Sequence, residues 1–244
     1  MVLKLNLRFI LAMGLYYGLY TITRGFSYVI ASMSLPLTML FLIGIISRGY
    51  LLKYAVIGGF ISLISTNALS SAGDASFLRL ELKFQDLLVT TRITRIDYML
   101  GLMLSYLFFS LPGIVIYAAI GVILNLFTAF RAFALFLIML SLLISETSLA
   151  FMIAGMMKHI RNVWGIVSIL SIILSVIPPI FYPYTYLPKY VLYILSISPA
   201  TPGSVIAQGV FGMQPLNYVM LIILIAETAF YFVLGMNFIK WRES

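Results

Sequence analysis

The stretch DASFLRLELKFQDLLVTTRITRIDYMLG, residues 74–101, is the only extended polar segment in a chain that is otherwise almost continuously apolar. Seven charged residues fall between Arg79 and Asp97. Apolar residues recur in its first part at spacings of three and four, at Phe77, Leu80, Phe84, Leu87 and Leu88. This periodicity predicts a short amphipathic helix, with Arg79, Lys83 and Asp86 grouped on another face. We expect such a helix to lie beside a membrane rather than across it.

The overall composition indicates a membrane protein. With 244 residues, 63% of them hydrophobic and 9% charged, and a mean hydropathy of +1.12, the chain is too apolar for a soluble globular protein. It has no cysteine, which excludes disulfides, thiolate metal sites and cysteine nucleophiles. The net charge is +8, but the basic residues stand singly at the ends of apolar runs. That distribution favours membrane orientation signals over a nucleic-acid surface, so we expect the lipid bilayer as a partner and no nucleic acid.

Six apolar runs are long enough to cross about 30 Å of hydrocarbon as helices. They cover residues 25–47, 54–73, 98–130, 132–157, 163–180 and 216–239. The first 24 residues carry Lys4, Arg8 and Arg24 and no acidic residue, which predicts an interfacial helix in the cytoplasmic headgroup layer. A signal peptide is the alternative, although no convincing small-residue cleavage site follows the apolar part.

Two apolar segments near the C-terminus, residues 190–197 and 203–211, are each too short to span a bilayer. Pro199 and Pro202 interrupt the chain between them, and we predict an external re-entrant helix pair. Together with Tyr182 and Gln208, these prolines are candidates for an external gate over an exit path. Either proline taken alone is better explained as a helix terminator at the surface.

These elements predict an all-α membrane protein with six transmembrane helices, formed by a single transmembrane domain over residues 1–244. Its parts are an interfacial helix at 1–24, spans one and two at 25–73, a cytoplasmic coupling segment at 74–97, spans three to five at 98–183, an external re-entrant segment at 184–214, and span six with a tail at 215–244.

The basic residues predict that both termini are cytoplasmic. In that topology eleven basic residues lie inside, namely Lys4, Arg8, Arg24, Arg79, Lys83, Arg92, Arg95, Lys158, Arg161, Lys240 and Arg242. Four lie outside, namely Arg48, Lys53, Arg131 and Lys189. The excess inside is the bias expected of cytoplasmic loops.

No catalytic or metal site is expected from the sequence. It contains no Walker A loop, no H-E-x-x-H motif and no D-x-D cluster, and its only histidine, His159, is expected to be a solvated loop residue. Glu146 and Glu227 stand inside predicted spans, where a carboxylate is a functional-site hypothesis by default. With Asn67 they are candidates for a substrate path. The alternative is that each only forms hydrogen bonds to polar side chains on neighbouring helices.

The order of these elements resembles the permease subunit of ABC-2 type transporters. The most specific part is the cytoplasmic segment LELKFQDLLVTTRITRIDYMLG, in which an acid, an LLVT element, a basic turn and a Leu-Gly follow one another. The matching positions are Asp86, Leu87, Leu88, Val89, Thr90, Arg95, Tyr98, Leu100 and Gly101. The chain departs from the family at Thr91 and Arg92, where a proline is usual. It also lacks the aromatic–proline–basic element of polysaccharide exporters, which makes it more similar to the drug and small-molecule export branch.

The resemblance implies a permease that dimerises, with itself or with a different permease, and docks a separate ABC ATPase subunit. ATP and Mg would then be bound by the partner and no cofactor by this chain. The expected ATPase-coupling residues are Arg79, Glu81, Lys83, Phe84, Gln85, Asp86, Leu87 and Leu88. One apolar face would bury against the spans, leaving Arg79, Lys83 and Asp86 for the partner. The expected cargo is a small amphipathic molecule, drug or lipid-like compound, exported across the plasma membrane.

Two other functions remain open from the residues alone. The chain contains no nucleotide-binding motif, which leaves a passive channel or a membrane scaffold without an ATPase partner as an alternative. A lipid-modifying enzyme is disfavoured because the loops lack a cluster of acids to hold a metal.

Overall fold

The computed structural model describes residues 5–239, and every regular element within that range is helical. The α-helices are α1 (Leu7–Met13), α2 (Tyr20–Arg24), α3 (Phe26–Ile46), α4 (Leu52–Leu80), α5 (Phe84–Val89), α6 (Arg95–Ile123), α7 (Ala129–Met156), α8 (Ile160–Ser175), α9 (Lys189–Leu195), α10 (Ala200–Val210) and α11 (Tyr218–Phe238). A π-helical segment, Gly14–Leu19, joins α1 to α2, and a 3-10 turn, Tyr184–Tyr186, precedes α9. Lys4, Lys240, Arg242 and the predicted tail lie outside the described residues.

Five helices, α3, α4, α6, α7 and α11, are long and apolar enough to cross a membrane. The prediction of a multi-pass, all-α membrane protein is therefore confirmed. The predicted fifth span, residues 163–180, corresponds to α8, which has only 16 residues and ends at Ser175. Pro178 explains the early end, because proline disfavours helical backbone at the residue before it. Helix length thus does not confirm the count of six spans.

Helix α4 forms the centre of the bundle. Of its most apolar membrane-length window 89% is buried, against 61% or less for the other four long helices. Small residues allow this close packing. A Cβ on Gly59 would collide with the Tyr117 ring of α6, and one on Gly73 would collide with Trp164 of α8.

The polar segment after α4 differs from the predicted amphipathic helix. Instead of ending near Gly73, α4 continues to Leu80, and the chain then turns through Lys83, whose φ is 48°. Helix α5 begins only after that left-handed residue, at Phe84. A single helix through Phe77 and Leu88 is therefore wrong. Its three- and four-residue spacing arises from the last turns of α4 and the separate turn of α5.

Helix α6 begins with a capping box. The Thr94 hydroxyl accepts from the Asp97 backbone N–H, and the Asp97 carboxylate accepts from the Thr94 N–H. From there α6 runs without interruption through Pro112 to Ile123, so the third predicted span is one helix, although it ends before residue 130.

The N-terminal helices lie lengthwise along α6. The Asn6 N–H donates to Asp97 at 2.8 Å, and the Ser105 hydroxyl donates to the Met13 carbonyl at 3.0 Å. One π-helical turn later, Gly18 contacts the backbone of Ser105 and the side chain of Phe108. Residues 6–18 and α6 therefore run in the same direction. The predicted helix in the headgroup layer did not include this contact with a span.

Candidate functional site

Arg79 points into the protein at the end of the bundle that carries α5. Its side chain is 9% exposed, and Nη2 donates to the carbonyl oxygens of Ala154, at 2.7 Å, and Met157. Both carbonyls belong to the end of α7, where backbone acceptors lack helical partners and the helix dipole favours a cation. The expectation that Arg79 stays on the outer face is wrong, because this cationic cap draws it inward.

Helix α5 presents one side to the bundle and one side outward. Gln85 and Leu88 are each 5% exposed, and Phe84 is half-buried. Leu87, in contrast, is 64% exposed, and Asp86 is exposed beside it. The expected apolar face is thus only partly buried: Leu88 faces the spans, and Leu87 does not.

The turn before α5 extends the outward side. Glu81 and Lys83 are exposed, and Leu82 between them is 53% exposed. We name the outward patch of Glu81, Leu82, Lys83, Asp86 and Leu87 the α5 surface. It combines two exposed leucines with three charged side chains, which is the pattern of an apolar anchor with a polar rim.

An aromatic series connects α5 to two long helices. The Phe84 ring lies 6.5 Å from the Tyr98 ring of α6, and Tyr98 lies 5.6 Å from the Phe151 ring of α7 in an edge-to-face arrangement. Tyr98 is fully buried, and Phe151 is almost so. Displacement of α5 would therefore press directly on packed side chains of α6 and α7.

A basic turn lies next to the α5 surface. Lys158 and His159 connect α7 to α8, and with Arg161 in the first turn of α8 and Glu81 they line an open cleft of about 600 Å³. His159 is exposed, as predicted for a loop residue.

Glu146 lies fully buried in the middle of α7. Its Oε1 accepts from the Ser65 hydroxyl of α4 at 2.8 Å, and Ser65 is also 2.7 Å from the Ser175 hydroxyl of α8. Its second oxygen, Oε2, has no hydrogen-bond partner among the described residues. The carboxyl group therefore joins three helices through one oxygen.

Glu227 lies on α11, next to the contact between α11 and α7. The Ser145 hydroxyl donates to the Thr228 hydroxyl at 3.2 Å, which brings the neighbouring positions 146 and 227 together on facing helices. Glu227 is half-buried, and its Oε2 has no partner among the described residues. The structure thus brings the two predicted carboxylates to one helix interface.

Asn67, the third substrate-path candidate, is 3% exposed on α4. Its Nδ2 donates to the Ser110 hydroxyl of α6 at 2.9 Å. It joins α4 to α6, and this hydrogen bond involves neither carboxylate.

Gln208 fastens α10 to the irregular segment after α8. Its Nε2 donates to the carbonyls of Pro179, at 2.7 Å, and Tyr182, at 3.0 Å, while its Oε1 accepts from the Tyr184 N–H at 3.0 Å. Tyr182 donates from its hydroxyl to the Ile177 carbonyl.

The turn between α9 and α10 reaches deep along the bundle. Pro202 is buried within α10, and Pro199 caps its N-terminus. A Cβ on the adjacent Gly203 would meet Leu142, which lies 13 residues, or about 20 Å, from the start of α7. Of the gate candidates, therefore, the two prolines lie deep in the bundle. Tyr182 belongs to the irregular segment after α8, and Gln208 is bonded to that segment.

Two polar contacts were not predicted from the sequence. The Tyr106 hydroxyl donates to Asp74 at 2.6 Å, linking α6 to α4, and nothing in the sequence pairs these residues. Asp97 caps α6 and holds Asn6, and here the T-x-x-D pattern of Thr94 to Asp97 was an available signal. Across residues 5–239 no group of three His, Cys, Asp or Glu side chains is arranged to hold a metal ion.

Comparison with known proteins gives one family. The family model described as ABC-2 type transporter matches residues 15–211, which include every helix from α2 to α10. No curated protein sequence matches the chain.

Proposed function

Because the chain belongs to the ABC-2 type transporter family, we propose that it is the permease subunit of an ATP-driven exporter in the plasma membrane. Permeases of this family are transport components, and ATP hydrolysis takes place on a separate subunit. On this proposal ATP and Mg bind to that ATPase subunit, and this chain binds no cofactor.

The proposed topology has six crossings, the fifth made by α8 and the irregular segment that follows it. Helices α7 and α11 run in the same direction, since Ser145 contacts Thr228 and Gly155 packs against the backbone of Phe238. Two membrane helices that run the same way need a return crossing between them.

Contacts between α4 and the chain from α8 onward support this return crossing. Trp164, near the start of α8, packs on Gly73, and Ser175, at its end, lies beside Ser65. Beyond the helix, Ile180 packs on Gly58. The chain from α8 onward therefore follows α4 in the opposite direction over most of its length, although only part of this path is helical.

The orientation that we propose puts both termini and the α5 surface in the cytoplasm. Basic residues are concentrated at the α5 end, where Arg79, Lys83, Arg92, Arg95, Lys158 and Arg161 lie. The opposite end carries Arg48 in a loop and Lys53, Arg131 and Lys189 at the starts of α4, α7 and α9. The excess at the α5 end supports this assignment by the positive-inside rule.

The α5 surface is the proposed docking site of the ATPase. The combination of Leu82 and Leu87 carries this proposal: two exposed leucines, outside the membrane-length helices and among three charged side chains, form an apolar anchor with a polar rim that suits a protein partner. Glu81, Lys83 and Asp86 would set the register of the complex rather than its affinity. Arg79, Gln85 and Leu88 would act behind the surface, by joining it to the spans.

We propose that movement of the ATPase is transmitted from α5 to α6 and α7 through the aromatic series. Nucleotide-driven movement of the ATPase would push α5, and Phe84 would move Tyr98 and then Phe151. Arg79 would carry the same movement to the end of α7, because its guanidinium bonds that helix directly. Both routes end on α7, which also holds Glu146.

For the cargo we propose an amphipathic or lipid-like molecule and rank the polar candidates by exposure. Glu227 is half-buried whereas Glu146 is fully buried, so Glu227 is better suited to meet a polar or cationic group of the cargo. Glu146 is enclosed and would orient the helices beside it. Asn67, already bonded to Ser110, would contribute after a rearrangement of α6.

On the external side we propose that α9 and α10 form a re-entrant pair that closes the exit path. Buried α10 packs against α4, α7 and α11, as irregular backbone at membrane depth requires. Opening would have to break the Gln208 bonds to residues 179–184. A second permease, identical or different, would complete the pore across the apolar outer faces of the bundle.

Coupling is tested by ATPase activity in nanodiscs that contain the chain and its ATPase. Phe84→Ala should leave the ATPase bound, because Phe84 is not part of the α5 surface, but should lower the cargo-stimulated rate several-fold. Phe26→Ala, a 76% exposed phenylalanine of α3, is the matched control and should change neither. Full stimulation in Phe84→Ala would exclude the aromatic route while leaving the docking proposal intact.

A further inference from the structure

An apolar groove lies between α6 and α7 on the outer side of the bundle. Its volume is about 370 Å³, and Phe60 of α4 lies in its wall. Side chains of one face of each helix form the sides. They include Leu107, Leu111, Ile114 and Ala118 of α6, and Ala132, Leu135, Phe136 and Met139 of α7.

The groove lies within the membrane-spanning part of both helices. Its α6 residues, from Leu107 to Ala118, extend over 11 residues, or about 16 Å along the axis. The groove is open on its outer side, where Leu111 is 38% and Phe136 is 48% exposed. An open apolar channel of this length at hydrocarbon depth has the shape and chemistry of a site for an acyl chain.

A cation stands one residue before the first groove-lining residue of α7, at the end of the bundle opposite α5, although its own side chain is not part of that lining. Arg131 is in the first turn of α7, one turn before Leu135 on the same face. Its guanidinium lies 5.9 Å from the Phe211 ring, and Phe211 packs on Phe127, which lines the groove. One N–H bond, to the Leu126 carbonyl at 3.3 Å, is found among the described residues, whereas a guanidinium has five donors.

We propose that this groove binds one glycerophospholipid of the bilayer, with an acyl chain along α6 and α7 and its phosphate at Arg131. Arginine at interface depth pairs well with a phosphate, because its planar donors match the phosphate oxygens. The apolar wall supplies the burial, and the cation fixes the end at which the headgroup sits. This site does not depend on the proposed transport function, since the lipid would be a resident component of the folded chain.

The test is native mass spectrometry of the full chain, purified in mild detergent and supplied with dioleoylphosphatidylglycerol. Wild type should retain one lipid. The variant Ala118→Phe with Ala132→Phe fills the groove and should lose it, whereas Val115→Phe, which adds the same ring at a 64% exposed site outside the groove, should not.

The headgroup is tested separately, with a variant that leaves the core unchanged. Arg131→Gln should reduce lipid retention by about tenfold, as expected when one charged hydrogen-bonding partner is lost. Arg131→Lys should restore much of it, and Arg48→Gln, an exposed cation at the same end, should have no effect.

Two results would overturn the proposal. One is a wild type that carries no lipid and instead forms a dimer whose interface covers the groove. The other is equal lipid retention in wild type, Arg131→Gln and, if it folds, the groove-filling variant.

Discussion

Arg79 Nη2 donates to the Ala154 carbonyl oxygen across 2.7 Å, and this contact joins the end of α4 to the last turn of α7. The same nitrogen bonds the Met157 carbonyl, so one side chain caps the helix from which the basic turn departs. A residue expected on the partner-facing surface therefore holds that surface against the bundle.

Arg79→Ala should destabilise the protein, because the buried Ala154 carbonyl and the partly buried Met157 carbonyl lose their donor. The cost expected for such groups is about 1–3 kcal/mol, and in a chain of this size each kcal/mol lowers the unfolding midpoint by about 2–4 °C. Thermal unfolding in detergent measures the change in the unfolding midpoint. Arg92→Ala, at an exposed position of the same segment, should leave the midpoint unchanged. Equal midpoints for Arg79→Ala and wild type would show that the cap contributes no stability.

Leu87 and Leu88 form a matched pair, since they are adjacent leucines with 64% and 5% exposure. Leu87→Ala should weaken ATPase binding and leave the unfolding midpoint unchanged. Leu88→Ala should lower stability by about 2–5 kcal/mol, the usual cost of a leucine truncated in a core. Binding by pull-down and unfolding in detergent separate the two effects. If Leu87→Ala bound the ATPase as wild type does, the α5 surface would not be the docking site.

The two intramembrane carboxylates should differ in their response to neutral replacement. Glu227→Gln should lower cargo-stimulated ATPase activity, by roughly tenfold if a charged hydrogen bond to cargo is lost. Glu146→Gln retains an oxygen for Ser65 and should have a smaller effect. ATPase assays over a range of cargo concentrations measure both. Unchanged transport and stimulation in both variants would remove the pair from the substrate path.

Gln208→Glu should destabilise the external segment more than Thr185→Ala, which removes one exposed hydrogen bond. The carboxylate keeps an acceptor for the Tyr184 N–H but opposes the carbonyls of Pro179 and Tyr182, which lose their donor. Hydrogen exchange of residues 184–187 should therefore become faster in Gln208→Glu. Exchange equal to wild type would mean that these bonds do not hold the segment closed.

The fold class could be predicted from the sequence because long apolar runs have few stable alternatives in a bilayer. Element ends were less predictable. Helix α4 continues past Asp74, whose carboxylate accepts a hydrogen bond from Tyr106, 32 residues away, and no local pattern reveals this contact. The early end of α8 follows from Pro178, a signal that was present in the sequence.

The sequence predicted which segment forms the candidate site, but not which of its side chains face the bundle and which face outward. Periodicity identified the apolar positions around α5, but the left-handed turn at Lys83 changed which of them face the bundle. Leu87 is consequently exposed and Arg79 buried, the reverse of the expectation for both. The two carboxylates were found because an acid in an apolar run is conspicuous, whereas their proximity required the Ser145–Thr228 contact.

Co-purification of the tagged chain with its ATPase, in detergent or nanodiscs, is the decisive measurement. Wild type is compared with Glu81→Lys plus Asp86→Lys, two exposed positions of the α5 surface whose reversal should leave the fold intact. We predict that an ATPase co-purifies with wild type and is lost from the double variant. An ATPase that stays bound to the variant would contradict docking on α5, and a wild type that binds none would contradict the permease function itself.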